Sequence, residues 1–351
     1  MTPPPGEPAR PVFCSKPWTS FEVEHDGTVM PCCMAKVACG NVLQNGIAEI
    51  WNGERFQEFR RKMASGQWQE TCRPECPRLY GTIDDSVGYT HAEAFAANYA
   101  LNQEEIARRD TVLRSQPRIW KTTASTLCNI DCIMCYQDRE DRRALPESFY
   151  RDFEAFYPYM QEVQIIGGEP FAIRRLRDLM AAFPKRCFPD AKFSIVSNGT
   201  IHDAKTIDIV RALSVSWMSI SVDAATEGTY ARIRRGGNFA NTMTGARTWI
   251  ALGKELGFPV HLAFTVMRDN VTEMDAFAAL GDGLGADVLF GRVTGTKGDQ
   301  HVIDEDALAA ALARTKSFLA ARESSMPLAN LTLASIADSQ PPGATGRSLS
   351  P

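Results

Sequence analysis

The chain has 351 residues, of which 44% are hydrophobic and 23% charged, and its formal net charge is -4. That length can bury a large core and predicts two domains. The mild acidity gives no global reason to expect nucleic acid or an anionic membrane surface as a partner, and ten cysteines in such a chain point to metal clusters in a reducing cytoplasm rather than to disulfides.

Residues 1–12 are proline-rich, lack the apolar core of a signal peptide, and are expected to be a disordered tail. No stretch reaches the length of a membrane-spanning helix. Residues 13–80 hold six of the ten cysteines among short strands, turns and one helix. Phe21-Glu22-Val23 and Val29-Met30 flank the turn Glu24-His25-Asp26-Gly27-Thr28 and read as a hairpin. The hairpin would deliver Cys32, and a returning helix Cys72 and Cys76; with Cys14 these make four thiolates able to close around one cubane cluster. Cys33 follows Cys32 on an extended segment, so the two side chains should diverge. A structural zinc site of four cysteines is the competing reading here, and Cys33 and Cys39 are left without a role. The basic runs Arg60-Arg61-Lys62, 139–143 and 174–177 are expected as solvated helix faces.

Residues 81–116 read as a helical linker, with a polar, alanine-rich helix over 91–109. Across 117–325 strands and helices alternate: strands at 118–126, 163–166, 192–197, 217–223, 260–267 and 288–294, and helices at 145–160, 173–183, 202–213, 241–256, 270–284 and 304–321. Six strands each followed by a helix predict an α/β domain with parallel pairing and right-handed crossovers, two units short of a closed eight-stranded barrel. Cys187, alone among the ten in standing outside any group, is expected to be a packed, inert thiol. Residues 326–351 are expected as a C-terminal tail.

The most informative run is Cys128-Asn129-Ile130-Asp131-Cys132-Ile133-Met134-Cys135. A cubane iron-sulfur cluster takes four thiolates, one per iron, so Cys128, Cys132 and Cys135 would leave one iron open for chemistry. A zinc site would need a fourth Cys or His nearby, and none stands between Leu127 and Leu145; an odd number of thiols in one loop disfavours disulfides. The loop follows the first strand, where parallel α/β sheets place active sites.

This run resembles the signature of the radical S-adenosylmethionine (radical SAM) enzymes. The resemblance implies an open (β/α)6 partial TIM barrel holding a 4Fe-4S cluster on Cys128, Cys132 and Cys135. Its open iron binds S-adenosyl-L-methionine, and reductive cleavage releases a 5'-deoxyadenosyl radical that abstracts hydrogen from a substrate. Gly167-Gly168-Glu169-Pro170 looks like the element that holds the cofactor's amino group, with Glu169 as the carboxylate; Ser197 and Asn198 resemble ribose contacts, although short polar residues also cap turns at strand ends. Asp223 is either a helix cap or a group facing the substrate. Where the family usually has an aromatic residue packed near the adenine, this chain has Met134, with Tyr136 two places later. An arginine in the stretch 230–239 is a candidate partner for the cofactor carboxylate, and Arg292 a candidate substrate contact.

Gly27-Thr28-Val29-Met30-Pro31-Cys32-Cys33, Gly40-Asn41-Val42, Ile47-Ala48-Glu49-Ile50-Trp51 and the 72–76 pair resemble a SPASM/twitch auxiliary domain. That likeness implies a second 4Fe-4S cluster on Cys14, Cys32, Cys72 and Cys76 in a small cysteine-rich α+β domain. In most relatives it follows the barrel, whereas here it precedes it. The implied protein is a cytoplasmic oxidoreductase fed by a donor such as flavodoxin or ferredoxin. Its substrate would be a peptide or protein side chain, or alternatively an aminosugar, cyclitol or other small metabolite. A non-catalytic iron-sulfur or zinc scaffold or sensor is the alternative of another class.

Overall fold

The computed structural model describes residues 13–74, 76, 92–138, 140–141, 143–294, 297–322 and 325–338. The tail expected at 1–12, residues 339–351 of the tail expected at 326–351, and the linker residues 81–91 lie outside that set. The chain opens with α1 (Lys16–Thr19), β1 (Ser20–Val23), β2 (Thr28–Met30), β3 (Gly40–Asn41), α2 (Ile47–Trp51) and α3 (Glu54–Ala64), then α4 (Glu93–Arg108). Among the described residues, three α-helices therefore stand where one was expected before residue 80.

From residue 119 the elements are β4 (Ile119–Thr123), β5 (Asp131–Cys132), α5 (Glu147–Glu154), β6 (Glu162–Ile166), α6 (Arg174–Ala181), β7 (Lys192–Ser197) and α7 (Ala204–Ala212). They continue with β8 (Val215–Ser221), α8 (Glu227–Ile233), β9 (Arg234–Arg235), α9 (Phe239–Leu256), β10 (Val260–Val266), α10 (Met274–Leu284), β11 (Asp287–Arg292), α11 (Glu305–Leu319) and α12 (Pro327–Asp338). β4, β6, β7, β8, β10 and β11 pair in parallel in that order. Val163 and Ile165 of β6 turn inward to the helix-covered core while Gln164 and Ile166 alternate to the other face. Side-chain caps start α7 and α11: Asp203 accepts from the Thr206 N–H at 3.1 Å and Asp304 from the Ala307 N–H at 2.8 Å.

The sheet does not stop at β4. β1 lies parallel beside β4, with Glu22 opposite Lys121, and β2 and β3 continue antiparallel from it. The N-terminal cysteine-rich region thus extends the barrel's own sheet. Trp120 sits at the seam, 4.9 Å from Phe21 on one side and 4.6 Å from Phe153 on the other. Burying such rings is worth about 1.5–3 kcal/mol each, so the two regions share one core.

Three expectations are corrected. Residues 327–338 are helix, not tail: Met326, Ala329, Leu333 and Ile336 are buried, and Asp287 accepts from the Leu328 and Ala329 N–H groups at 2.7 and 3.0 Å. This helix covers the β11 edge, where the Phe290 N–H donates to Thr332 Oγ1 at 3.0 Å, because an edge strand leaves backbone groups in need of partners. Arg60 is not a solvated charge. It is fully buried, stacks 4.4 Å over Trp51 and donates to the carbonyls of Pro17, Thr111 and Trp51, since a guanidinium can satisfy several carbonyls at once. Cys187 is exposed rather than packed; its neighbours Lys185 and Arg186 keep that turn at the surface.

A polar latch ties the β1–β2 turn to the segment after the Cys128–Cys135 loop. Asp141 takes Arg143 Nη2 at 2.6 Å and His25 Nε2 at 2.9 Å, and its carbonyl accepts from Thr126 Oγ1 at 2.7 Å. Hydrogen bonds from Arg143, and then from His25, hold the Asp141 carboxyl well below the usual carboxylate range. A depressed folded-state value stabilises the fold above the unfolded value near 3.9, and that stabilisation is lost as pH falls through the folded one. Asp141→Asn is therefore expected to flatten the acid side of the stability profile, which melting temperatures between about pH 5 and pH 2 measure.

Candidate active site

The loop after β4 is pinned from both sides. β5 pairs antiparallel with β9, setting Cys132 opposite Arg234, and the Ile133 N–H donates to the Ile233 carbonyl at 2.9 Å. On the other side the Leu127 carbonyl accepts the Glu169 N–H at 2.9 Å. The stretch after β8 thus acts as a short ladder that holds the cysteine loop, a role that no sequence period reveals because each strand is two residues long.

A cavity of about 420 Å³ opens at the C-terminal ends of the strands. Its lining includes Cys128, Cys132 and Cys135, the turn glycines Gly167 and Gly168, the short polar Ser197, Asn198 and Ser221, and Arg234, Thr265 and Arg292. Met134 also lines it and packs against the Ile233, Met267 and Val293 cluster. Tyr136, at 75% exposure, stands at its lip. Gly167 and Gly168 take φ of 86° and 46°, so both occupy the left-handed region that favours glycine. A Cβ on Gly167 would strike Thr123 Cγ2, and one on Gly168 the Leu127 carbonyl oxygen. Gly168 N–H donates to Gln137 Oε1 at 3.0 Å, a contact with no signal in the sequence.

Glu169 is corrected. Its carboxylate does not line the cavity; it is fully buried, accepting from the Asn198 N–H at 2.7 Å, Ser197 Oγ at 2.9 Å and the Phe171 N–H at 3.2 Å. Burial raises its pKa to about 6 against those hydrogen bonds. The side chain braces the β7 end against the glycine turn. Asp223 is corrected likewise. It is buried away from the cavity in the left-handed conformation, φ 59°. Oδ2 takes Arg234 Nη2 at 2.6 Å and Nε at 3.0 Å, and Oδ1 takes the Thr265 N–H at 2.7 Å. The group that reaches the cavity is Arg234.

Among the described residues no three His, Cys, Asp or Glu side chains converge as for a single metal ion. Three thiols in one cavity lining that holds no carboxylate or imidazole suit a cluster in which each thiolate takes its own iron. Burial pushes the Cys132 thiol up to about 11, opposed by Arg234; coordination deprotonates such a thiol outright.

The N-terminal thiols gather separately. An antiparallel bridge between Ala35 and Cys72 folds the two cysteine segments together. Cys14 and Cys33 lie close enough to Cys32 for their charges to interact, as do Cys14 and Cys76 with Cys72, and burial pushes Cys32 and Cys72 upward. Cys33 itself is exposed. Cys39 is buried apart, beside Arg60 and Arg55, its thiol pushed up to about 12 by burial.

The site is thus a thiol-lined cavity with a glycine turn, set at the C-terminal ends of the parallel strands of an α/β sheet. The radical SAM superfamily model matches residues 123–280, and the SPASM iron-sulfur cluster-binding domain matches residues 14–77. Residues 123–280 are thus a radical SAM domain, and the SPASM domain stands N-terminal to it. Over 187 residues the chain is 28% identical to an AdoMet-dependent heme synthase of Methanosarcina barkeri (strain Fusaro), covering 50% of each chain. It thus spans about half the length of that curated relative. SuiB of Streptococcus suis bound to the precursor peptide SuiA is similar in structure, with a TM-score of 0.49 and 14% identity over 86% of this chain and 69% of that one. The structure of anSMEcpe with bound AdoMet gives a TM-score of 0.45 and 14% identity over 56% of each chain. No helix among the described residues is long and apolar enough to cross a membrane.

Proposed function

We propose that this enzyme uses Cys128, Cys132 and Cys135 to hold a 4Fe-4S cluster, and abstracts hydrogen from a peptide or protein side chain. When bound, cluster and S-adenosylmethionine supply a 5'-deoxyadenosyl radical. The observation that carries the reading is the single cavity shared by the three thiols, the Gly167–Gly168 backbone and Arg234. The glycine turn lets a ligand approach the main chain, and Arg234 offers a fixed positive charge to a carboxylate. Ser221, Thr265 and Arg292 also line the cavity and are the groups assigned to a substrate. At about 420 Å³ the cavity is at the lower end of the range for ligand sites. A nucleoside cofactor would fill most of it, which favours an inserted side chain over a large rigid substrate.

Cys14, Cys32, Cys72 and Cys76 are assigned a second cluster that takes up an electron, making the net reaction an oxidation. Anaerobically reconstituted protein, reduced with dithionite alongside S-adenosylmethionine, is expected to release 5'-deoxyadenosine. The Cys128→Ala/Cys132→Ala/Cys135→Ala variant should release none while retaining iron and sulfide. Zinc without sulfide in that variant would remove the second cluster, and no 5'-deoxyadenosine from the wild type would remove the whole proposal.

A further inference from the structure

We infer that Asn198 sets the reduction potential of the barrel cluster by donating a hydrogen bond to the Cys128 sulfur; this rests on the cluster assignment above. Asn198 Nδ2 lies 3.7 Å from Cys128 Sγ and 2.9 Å from Asn129 Oδ1, so its two hydrogens have two acceptors. The amide's orientation is forced, not arbitrary. Asn198 Oδ1 accepts from the Thr200 N–H at 3.0 Å, which can only donate, and from Thr200 Oγ1 at 2.6 Å. Asn129 Nδ2 in turn donates to Thr200 Oγ1 at 2.8 Å, which leaves Asn129 Oδ1 facing Asn198. Flipping Asn198 would set oxygen against sulfur and amide hydrogen against amide hydrogen.

A cluster gains negative charge on reduction, and that charge is spread over its thiolates. An N–H aimed at a ligand sulfur stabilises the reduced state more than the oxidised one and raises the potential. Asn198 is thus a positioning residue whose Nδ2 is committed to the thiolate side, not to a nucleoside hydroxyl.

The test is a redox titration of the reconstituted full chain followed by electron paramagnetic resonance, the barrel signal being the one absent from Cys128→Ala. Asn198→Leu removes the donor, and Asn198→Asp keeps the volume and the acceptor for Thr200 while removing it. Each is expected to lower the reduced-to-oxidised ratio at fixed poise about tenfold, a shift of about 59 mV to more negative potential for a one-electron couple. Thr200→Val, which keeps the Thr200 N–H on Oδ1, should leave the ratio as in the wild type. A barrel signal with unchanged potential in Asn198→Asp, or an equal shift in Thr200→Val, would overturn the inference alone. Absence of any signal that depends on Cys128 in the wild type would overturn it together with the cluster assignment.

Discussion

Gly168→Ala is expected to empty the barrel of its iron while leaving a folded protein. The position has φ 46°, which costs a residue with a Cβ about 1–2 kcal/mol. The collision matters more: the new Cβ would meet the Leu127 carbonyl oxygen, and the carbon and nitrogen of the same residue stand close behind. Backbone must give way there, since no flexible side chain lies between. Leu127 immediately precedes Cys128, and its carbonyl is the acceptor for the Glu169 N–H. Relieving the clash therefore moves Cys128, the ligand proposed for the cluster, and breaks the bond that fixes the loop before it. Overpacking adds about 1–3 kcal/mol, less than the stability of a typical domain. Gly66→Ala supplies the control, because it too has a positive φ, 81°, but nothing within 4 Å of the added carbon. Iron and sulfide content together with melting temperature separate the two. Full iron and wild-type 5'-deoxyadenosine release in Gly168→Ala would show that the glycine turn does not govern the cysteine loop.

The βα alternation was legible because each strand carries a period of two or a short apolar run, and each crossover helix an apolar stripe. The expected strand at 192–197 matches β7, and that at 260–267 exceeds β10 by one residue. The cysteine run and the glycine turn, singled out by spacing alone, do come together in one cavity lining. What the sequence hid were contacts between distant segments. Nothing in Phe21-Glu22-Val23 tells that β1 runs parallel to β4, because hairpin patterning fixes only the local partner; the Glu22–Lys121 ion pair at 3.3 Å appears only once the strands are side by side. Arg60 reads as one of three cations in a row, and its burial depends on carbonyls at residues 17, 51 and 111. The last helix did leave a signal. Ala329, Leu333 and Ile336 fall at helical spacing, but the proline-rich residues after 340 drew the whole end into one expected tail. Glu169 illustrates another limit: a motif names a residue, whereas only the neighbouring Ser197 and Asn198 donors decide which way its carboxylate turns.

The second large effect is expected at Arg234→Met. Arg234 and Asp223 are almost wholly enclosed, with side-chain exposures of 7% and 0%, and Arg234 both pairs with Asp223 and faces the cavity beside Cys132. Removing one partner of a buried ion pair strands the other charge and costs about 3–5 kcal/mol. The loss should also reach the cysteine loop, because β9 is the strand that holds Cys132 in register. Replacing both residues, as in Asp223→Asn/Arg234→Met, removes the stranded charge, and the Asn carbonyl still accepts the Thr265 N–H that Asp223 Oδ1 accepts at 2.7 Å. Stability is then expected to recover by about half or more of the single-variant loss, since such neighbours are strongly non-additive. Cofactor binding is expected to follow a different course. It should stay weak in the double variant, because the positive charge facing the cavity is still missing. Urea unfolding gives the first quantity and equilibrium binding of S-adenosylmethionine to the reconstituted protein the second. Recovery of both would reduce Arg234 to a structural counter-ion, and recovery of neither would mean that β9 needs the guanidinium itself to keep the cysteine loop in place.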